Sequence, residues 1–289
     1  MISKIRRLAV ENCADELIKE LKIASLPVNP ISIATGRGIT VQSWTPTKKG
    51  VSGFLMKVGD SFGISYSDFV ANPGFINFTV GHELGHYFIP GHVDKLFSSG
   101  ATVHYSESGF SSSNDIEKEA DFFSAALLMP KLLFLPALRN AGEGFAAINQ
   151  LSRKCNMSLT ATAIRFAQFA EHPIAVIISA GNAIEFCVLS DPLQEARGVT
   201  RLAKGEYVPA GTLTDKFNND PNNAGSCNSI GAYCSLDDWF PNARQIEMSE
   251  DVIGLGNYGK TLTVLFTHEE VEEADDDIGE WKPRFERRR

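Results

Sequence analysis

His82, Glu83 and His86, in the run Thr79-Val80-Gly81-His82-Glu83-Leu84-Gly85-His86-Tyr87, are the residues whose types and spacing specify a reaction. Four residues apart on a helix, two imidazoles point the same way and can share one Zn²⁺. Glu83 stands beside them, within reach of a water activated by that metal, as a general base. The bland alternative is a helix with two ordinary half-buried histidines.

The surrounding residues favour a helix here on separate grounds. Asn72-Pro73 reads as an N-cap followed by Pro at the first helical position, and Phe75, Phe78, His82, Gly85 and Ile89 trace one face. Pro90-Gly91 should end it. Catalytic zinc usually takes three protein ligands, and two residues compete for the third place. His92 lies ten residues after His82, as in a His-Glu-x-x-His-x-x-Gly-x-x-His site, but Ile89 occupies the position where that pattern needs glycine. Glu117 lies on a second expected helix, about Asp115 to Met129, capped by Ser113 or Asn114, with Ile116, Ala120, Phe123 and Leu127 as its stripe and Pro130 as its end. Asp121, one turn beyond Glu117, can hold the Nδ1–H of a ligand histidine, and Glu119 points elsewhere, about 200° round from Glu117. A helix that supplies the carboxylate together with its supporting Asp makes Glu117 the preferred ligand, with His92 as the alternative. The oxyanion of a tetrahedral intermediate needs a donor besides the metal. His104, Tyr105 and His92 are candidates, and His104 is preferred.

Other elements must position these groups. An amphipathic helix is expected from Ile2 to about Ala24, burying Ile5, Leu8, Ala9, Cys13, Leu17 and Leu21. Asn29-Pro30 caps a short helix through Ala34, and Ile39–Val41 reads as a strand. Gly53–Val58 and Ser61–Tyr66 read as a hairpin turned at Gly59-Asp60. The free edge of that sheet could pair with an extended peptide along the metal cleft. Gly91 to Asn114 reads as a long Gly- and Ser-rich loop.

Gly144 to Ala170 reads as two helices around Asn156-Met157-Ser158, a helix-turn-helix-like pattern with Arg153, Lys154 and Arg165 as its basic residues. Three charges in a chain of net charge −8 argue against DNA contact. Beyond Pro173 the composition changes. Ile174–Ile178 and Ile184–Leu189 flank Gly181-Asn182 as a hairpin, Thr261–Phe266 is a further strand, and Asn218–Asn228 is a polar insert. The end runs acidic over Glu269–Asp277 and then basic over Arg284–Arg289, read as solvated.

The bulk numbers agree with an enzyme of the cell interior. The 289 residues are 43% hydrophobic, enough for one large or two medium domains, with no internal repeat. Five scattered cysteines are no disulfide framework and fit a reducing cytosol. Glu11, Asp15 and Glu16 interrupt the stretch a signal peptide would need, and no run matches a membrane span. A cytoplasmic protein with no membrane partner is expected.

His82-Glu-Leu-Gly-His-Tyr followed by Glu117-Lys-Glu-Ala-Asp-Phe-Phe-Ser-Ala-Ala-Leu-Leu-Met-Pro130 resembles the ImmA/IrrE family of metallopeptidases. The resemblance extends upstream to Pro27-Val-Asn-Pro-Ile-Ser-Ile-Ala and Gly53-Phe-Leu-Met-Lys-Val-Gly-Asp, and downstream through the helical pair, so it covers roughly the first 170 residues. It implies a thermolysin-like minimal core, with zinc held by two His and a Glu, that cleaves helix-turn-helix transcriptional repressors. Residues 175–289 show no motif of the GAF-like domain that some members carry.

The expected fold is therefore α+β. A zincin-like metallopeptidase domain at 1–140 has an N-terminal helix, a short mixed or antiparallel sheet, the zinc helix and the Glu-bearing helix. A helix-turn-helix-like segment follows at 141–172, then a β-rich region at 173–289. The expected function is a zinc endopeptidase with one Zn²⁺ per chain, acting on a helix-turn-helix repressor. The alternatives are a metal-binding regulator that acts without proteolysis, which has no need of Glu83, and a DNA-binding transcriptional regulator.

Overall fold

A computed structural model describes residues 3–46, 50–69, 72–107, 114–269 and 271. The Ser113 cap and nearly all of the charged end lie outside these residues. The chain is α+β and divides into two compact units, Met1–Phe166 and Ala167–Arg289. No single described helix is long and apolar enough to cross a membrane.

In the first unit, helices α1 (Lys4–Glu20) and α2 (Pro30–Gly36) precede strands β1 (Thr40–Trp44), β2 (Val51–Val58) and β3 (Ser61–Ser67). Helix α3 (Pro73–Phe88) follows, then the short α4 (His92–Leu96), strand β4 (Val103–Glu107), α5 (Asp115–Leu128) and α6 (Lys131–Arg139). Helix α7 (Gly144–Cys155) comes next, and α8 (Leu159–Phe169) ends three residues past the boundary at Phe166. The sheet order is β1-β3-β2-β4, with β1 parallel to β3 and the other pairs antiparallel. Val58 pairs with Ser61 across Gly59, whose φ of 60° suits the tight turn, so the expected hairpin is present.

Four expectations needed correction. The stretch from Gly91 to Asn114 is not simply a loop, because it contains α4 and β4. Strand β4 covers the edge of β2, so the open edge on that side belongs to β4. Helix α1 buries Val10, Ala14, Leu17 and Ile18, whereas Ile5 is 83% and Leu8 60% exposed. The reason is long-range. Arg6 and Glu11 flank the buried face and are tied to Glu119 and Arg165, each at 2.7 Å, which sets the rotation of α1. Finally, Phe75 and Phe78 are only half-buried, while α3 is buried continuously from Thr79 to His86 between the sheet and α5.

The helical pair α7–α8 turns at Asn156, whose φ is 53°, and Met157. Arg165 belongs to the interior. It is 5% exposed, its Nε donates to the Met129 carbonyl at 3.1 Å and it pairs with Glu11. Arg153 and Lys154 are exposed.

The second unit is an antiparallel sheet in the order β6-β5-β9-β8-β7. Strands β5 (Ile174–Ala180), β6 (Ala183–Leu189) and β9 (Thr261–Phe266) match expectation, and β7 (Ser229–Ser235) and β8 (Glu247–Gly254) add to it. Short helices α9 (Asp191–Gln194), α10 (Leu213–Asn218), α11 (Pro221–Gly225) and α12 (Leu236–Trp239) join them, and α11 lies in the stretch read as a polar insert. Ala175, Ile177, Leu193, Trp239, Phe240 and Leu265 are central to its core.

Candidate metal centre

The site is built on the packing of α3 against α5. Asn72 Oδ1 caps α3 by accepting from the backbone N–H of Gly74 at 2.8 Å and of Phe75 at 3.3 Å. Two glycines let α5 come close. A Cβ on Gly85 would lie 3.0 Å from the Ala120 Cα, and one on Gly81 would lie 2.5 Å from Ser124 Oγ. Asn114 starts α5 by accepting from the N–H of Ile116 at 3.1 Å.

This packing brings His82, His86 and Glu117 together, with one ligand atom from each lying within 4.8 Å of the others. His82 Nε2 is 3.3 Å from Glu117 Oε2 and 3.0 Å from His86 Nε2, and His86 Nε2 is 3.5 Å from Glu117 Oε1. Asp121 Oδ1 lies 2.8 Å from His82 Nδ1, so His82 turns one nitrogen to the cluster and the other to a carboxylate. Burial pushes His86 down to about 3, the neutral state a metal ligand needs. Burial would raise the Glu117 carboxyl, but the imidazoles of His104, His82 and His86 around it hold it well below the usual carboxylate range.

The donor set suits zinc: two imidazoles and an ionised carboxylate, all converging on one point. Glu83 adds an independent observation. It is 0% exposed, and neither of its carboxylate oxygens completes a hydrogen bond among the described residues. Burial pushes its carboxyl up to about 7, against the opposing charge of His82. The Ser106 hydroxyl is near enough to draw it down, yet that hydroxyl also lacks hydrogen-bond geometry. A buried carboxylate without a fixed partner is rare in a structural role.

Strand β4 contributes through its alternation. His104 pairs with Leu55 and Ser106 with Gly53, on the sheet face that meets α3. A Cβ on Gly53 would lie 2.6 Å from Thr79 Cγ2 and 3.4 Å from Glu83 Oε1, which locates that face against the base. His104 Nε2 is 3.0 Å from Glu117 Oε1, and its ring centroid is 4.8 Å from that of His86. Tyr105 takes the opposite face, 54% exposed, with its ring against Phe54 and Trp44, so it is no oxyanion donor. His92 is outside the cluster. It is 1% exposed, and its Nδ1 lies 3.2 Å from His86 Nδ1, on the side away from His82 and Glu117. Glu119 and Arg6 continue from His92. Sequence reasoning missed both, because Glu119 faces away from Glu117 on α5 and nothing local relates Arg6 to it.

Comparison with known proteins agrees with this geometry. Residues 73–167 match the family described as the IrrE N-terminal-like domain, a peptidase family. No curated protein matches the chain. Among solved structures, a Mycobacterium tuberculosis transcriptional regulator is similar in fold, with a TM-score of 0.56 at 14% identity, over 89% of this chain and 75% of that one. The matched residues, 73–167, carry His82, Glu83, His86, Glu117 and Asp121, so the similarity to the IrrE N-terminal-like domain falls on the candidate metal centre.

Proposed function

We propose that the protein is a zinc-dependent endopeptidase that cleaves a protein substrate at a defined site. The observation that carries this reading is Glu83, a wholly buried carboxylate with no completed hydrogen bond, beside three converging metal-competent side chains. A zinc ion held by His82, His86 and Glu117 would supply a Lewis acid that polarises the scissile carbonyl and activates water at neutral pH. Glu83 accepts the proton of the attacking water and passes it to the leaving amine. Asp121 fixes the tautomer and ring of His82. Nε2–H of His104, now 3.0 Å from Glu117, is the donor for the oxyanion.

The outer edge of β4 has no partner strand among the described residues, and His104 projects from that strand toward the cluster. An extended peptide added to this edge would lie beside the metal. That geometry, with the family match, supports a substrate that is unfolded or loop-like at the cut. A helix-turn-helix repressor is the proposed one, in a regulatory switch inside the cell. Burial of Arg165 leaves Arg153 and Lys154 as the exposed cations of the expected basic set, which supports a protein partner over DNA.

A second reading, a regulator that acts by binding alone, has in its favour the description of the solved chain of similar fold. Metal analysis and a cleavage assay separate the two. The proposal expects one zinc per chain and substrate cleavage that is lost in Glu83→Gln. Wild-type cleavage by Glu83→Gln, or a zinc-loaded protein that cuts no candidate repressor, would favour the second reading.

A further inference from the structure

Behind His86 runs a buried chain of side chains that the proposed mechanism does not use. His86 Nδ1 meets His92 Nδ1 at 3.2 Å, His92 Nε2 meets Glu119 Oε2 at 2.9 Å, and Arg6 Nη2 donates to that same oxygen at 2.7 Å. The four residues come from α3, α4, α5 and α1, and His86, His92 and Glu119 are each less than 10% exposed. Gly91 makes the convergence possible. Its φ of 84° lies in the left-handed region and reverses the chain after α3, so that His92 returns against His86.

The chemistry of the far end determines the protonation of every ring nitrogen. An ionised carboxylate paired with Arg6 accepts hydrogen bonds and donates none, so His92 Nε2 must carry the proton and donate to Glu119. Neutral His92 then has a lone pair at Nδ1 and accepts from His86 Nδ1–H. Neutral His86 therefore presents a lone pair at Nε2, the nitrogen that faces His82 and Glu117. Read from Arg6 inward, the chain yields the tautomer that a metal ligand requires. His82 obtains the same result directly from Asp121.

We infer that His92, oriented by Glu119 and Arg6, is a positioning residue that fixes the ring and tautomer of His86 for metal binding. The inference rests on the metal-centre reading above. It also gives His92 a role other than that of third ligand. Without His92, the Nδ1–H of His86 would be a buried donor with no partner, and either His86 tautomer would serve equally well.

The test is metal affinity in the full-length protein. Apo protein is titrated with Zn²⁺ against a chelator of known affinity, and with Co²⁺ while its visible absorption is recorded. Loss of an outer partner of a ligand histidine typically weakens affinity by about 10–100-fold, which is the result expected for His92→Phe. His92→Gln offers an amide oxygen that can accept from His86 Nδ1–H, so it should recover most of that loss. A packing role predicts the reverse order, with Phe at least as good as Gln, and that order would overturn the inference. If circular dichroism shows that His92→Phe does not fold, Glu119→Gln decides. It should weaken zinc by about tenfold while the apo protein keeps its folded circular dichroism spectrum, and wild-type affinity in it would overturn the inference. If the wild-type chain itself binds no zinc, the metal centre fails and this inference with it. If the wild type binds zinc and His92→Phe binds it equally well, only the inference fails.

Discussion

Gly81 of α3 and Ser124 of α5 meet so closely that a Cβ on the glycine would lie 2.5 Å from the serine Oγ. That hydroxyl also donates to the Phe78 carbonyl at 2.8 Å, so it cannot swing aside without losing its acceptor. The contact sets the spacing of the two helices that carry the candidate ligands. Gly81→Ala should therefore lower stability by about 1–2 kcal/mol, because overpacking outweighs the gain in helix propensity. Adding Ser124→Ala should restore part of this, although alone it costs about 1 kcal/mol. Urea unfolding of the two single variants and the double variant measures the coupling. Strictly additive losses would mean that the two residues do not limit the approach.

The candidate ligands should rank by their distance from the metal. His86→Ala and Glu117→Ala should each come through dialysis against a chelator without zinc, while Asp121→Ala should bind it about 10–100-fold more weakly. Elemental analysis and competition titration give the order. Full zinc in Glu117→Ala would move the third ligand elsewhere.

Glu83→Gln should lose cleavage while keeping zinc. Its apo form should be as stable as the wild type or slightly more so, because the substitution removes a buried charge with no completed hydrogen bond. Thermal melts of both apo proteins, beside the cleavage assay, check the two halves together. A marked loss of stability would make Glu83 a structural residue.

In the second unit, Glu250 is 1% exposed on β8 and accepts from the backbone N–H of Thr214 at 2.7 Å, from its hydroxyl at 2.7 Å and from the N–H of Leu213 at 3.2 Å. This carboxylate holds the start of α10. Glu250→Ala leaves two backbone N–H groups without their acceptor, while the Thr214 hydroxyl keeps Thr263 Oγ1 at 2.7 Å, and should cost about 2–3 kcal/mol of stability. Zinc affinity should not change, because the residue belongs to the other unit. Denaturant unfolding and metal titration test both statements.

What was legible in the sequence was local. The helix around His82, its Asn72-Pro73 start, its end before Pro90 and the shared face of Glu117 and Asp121 follow from periodicity and capping over a few residues. The hairpin at Gly59-Asp60 was legible for the same reason. Strand β4 was not. In Val103-His-Tyr-Ser-Glu the apolar Val103 and Tyr105 alternate with His104 and Ser106, but the inward face is the polar one, so the pattern marks no buried apolar face and the strand depends on pairing with β2. Nor could the sequence set the rotation of α1 or the burial of Arg165, because Glu11 and Arg165 stand 154 residues apart. The same holds for His92. Its spacing from His82 suggested a ligand, but which side of His86 it approaches depends on Gly91, and its partners depend on α1 packing against α5, with Arg6 and Glu119 113 residues apart. Short-range sterics select helices and turns from neighbouring residues, whereas buried polar groups must find partners wherever the packed chain supplies them. The residue types of the candidate metal centre were therefore decided by sequence, and the environment that orients them by tertiary structure.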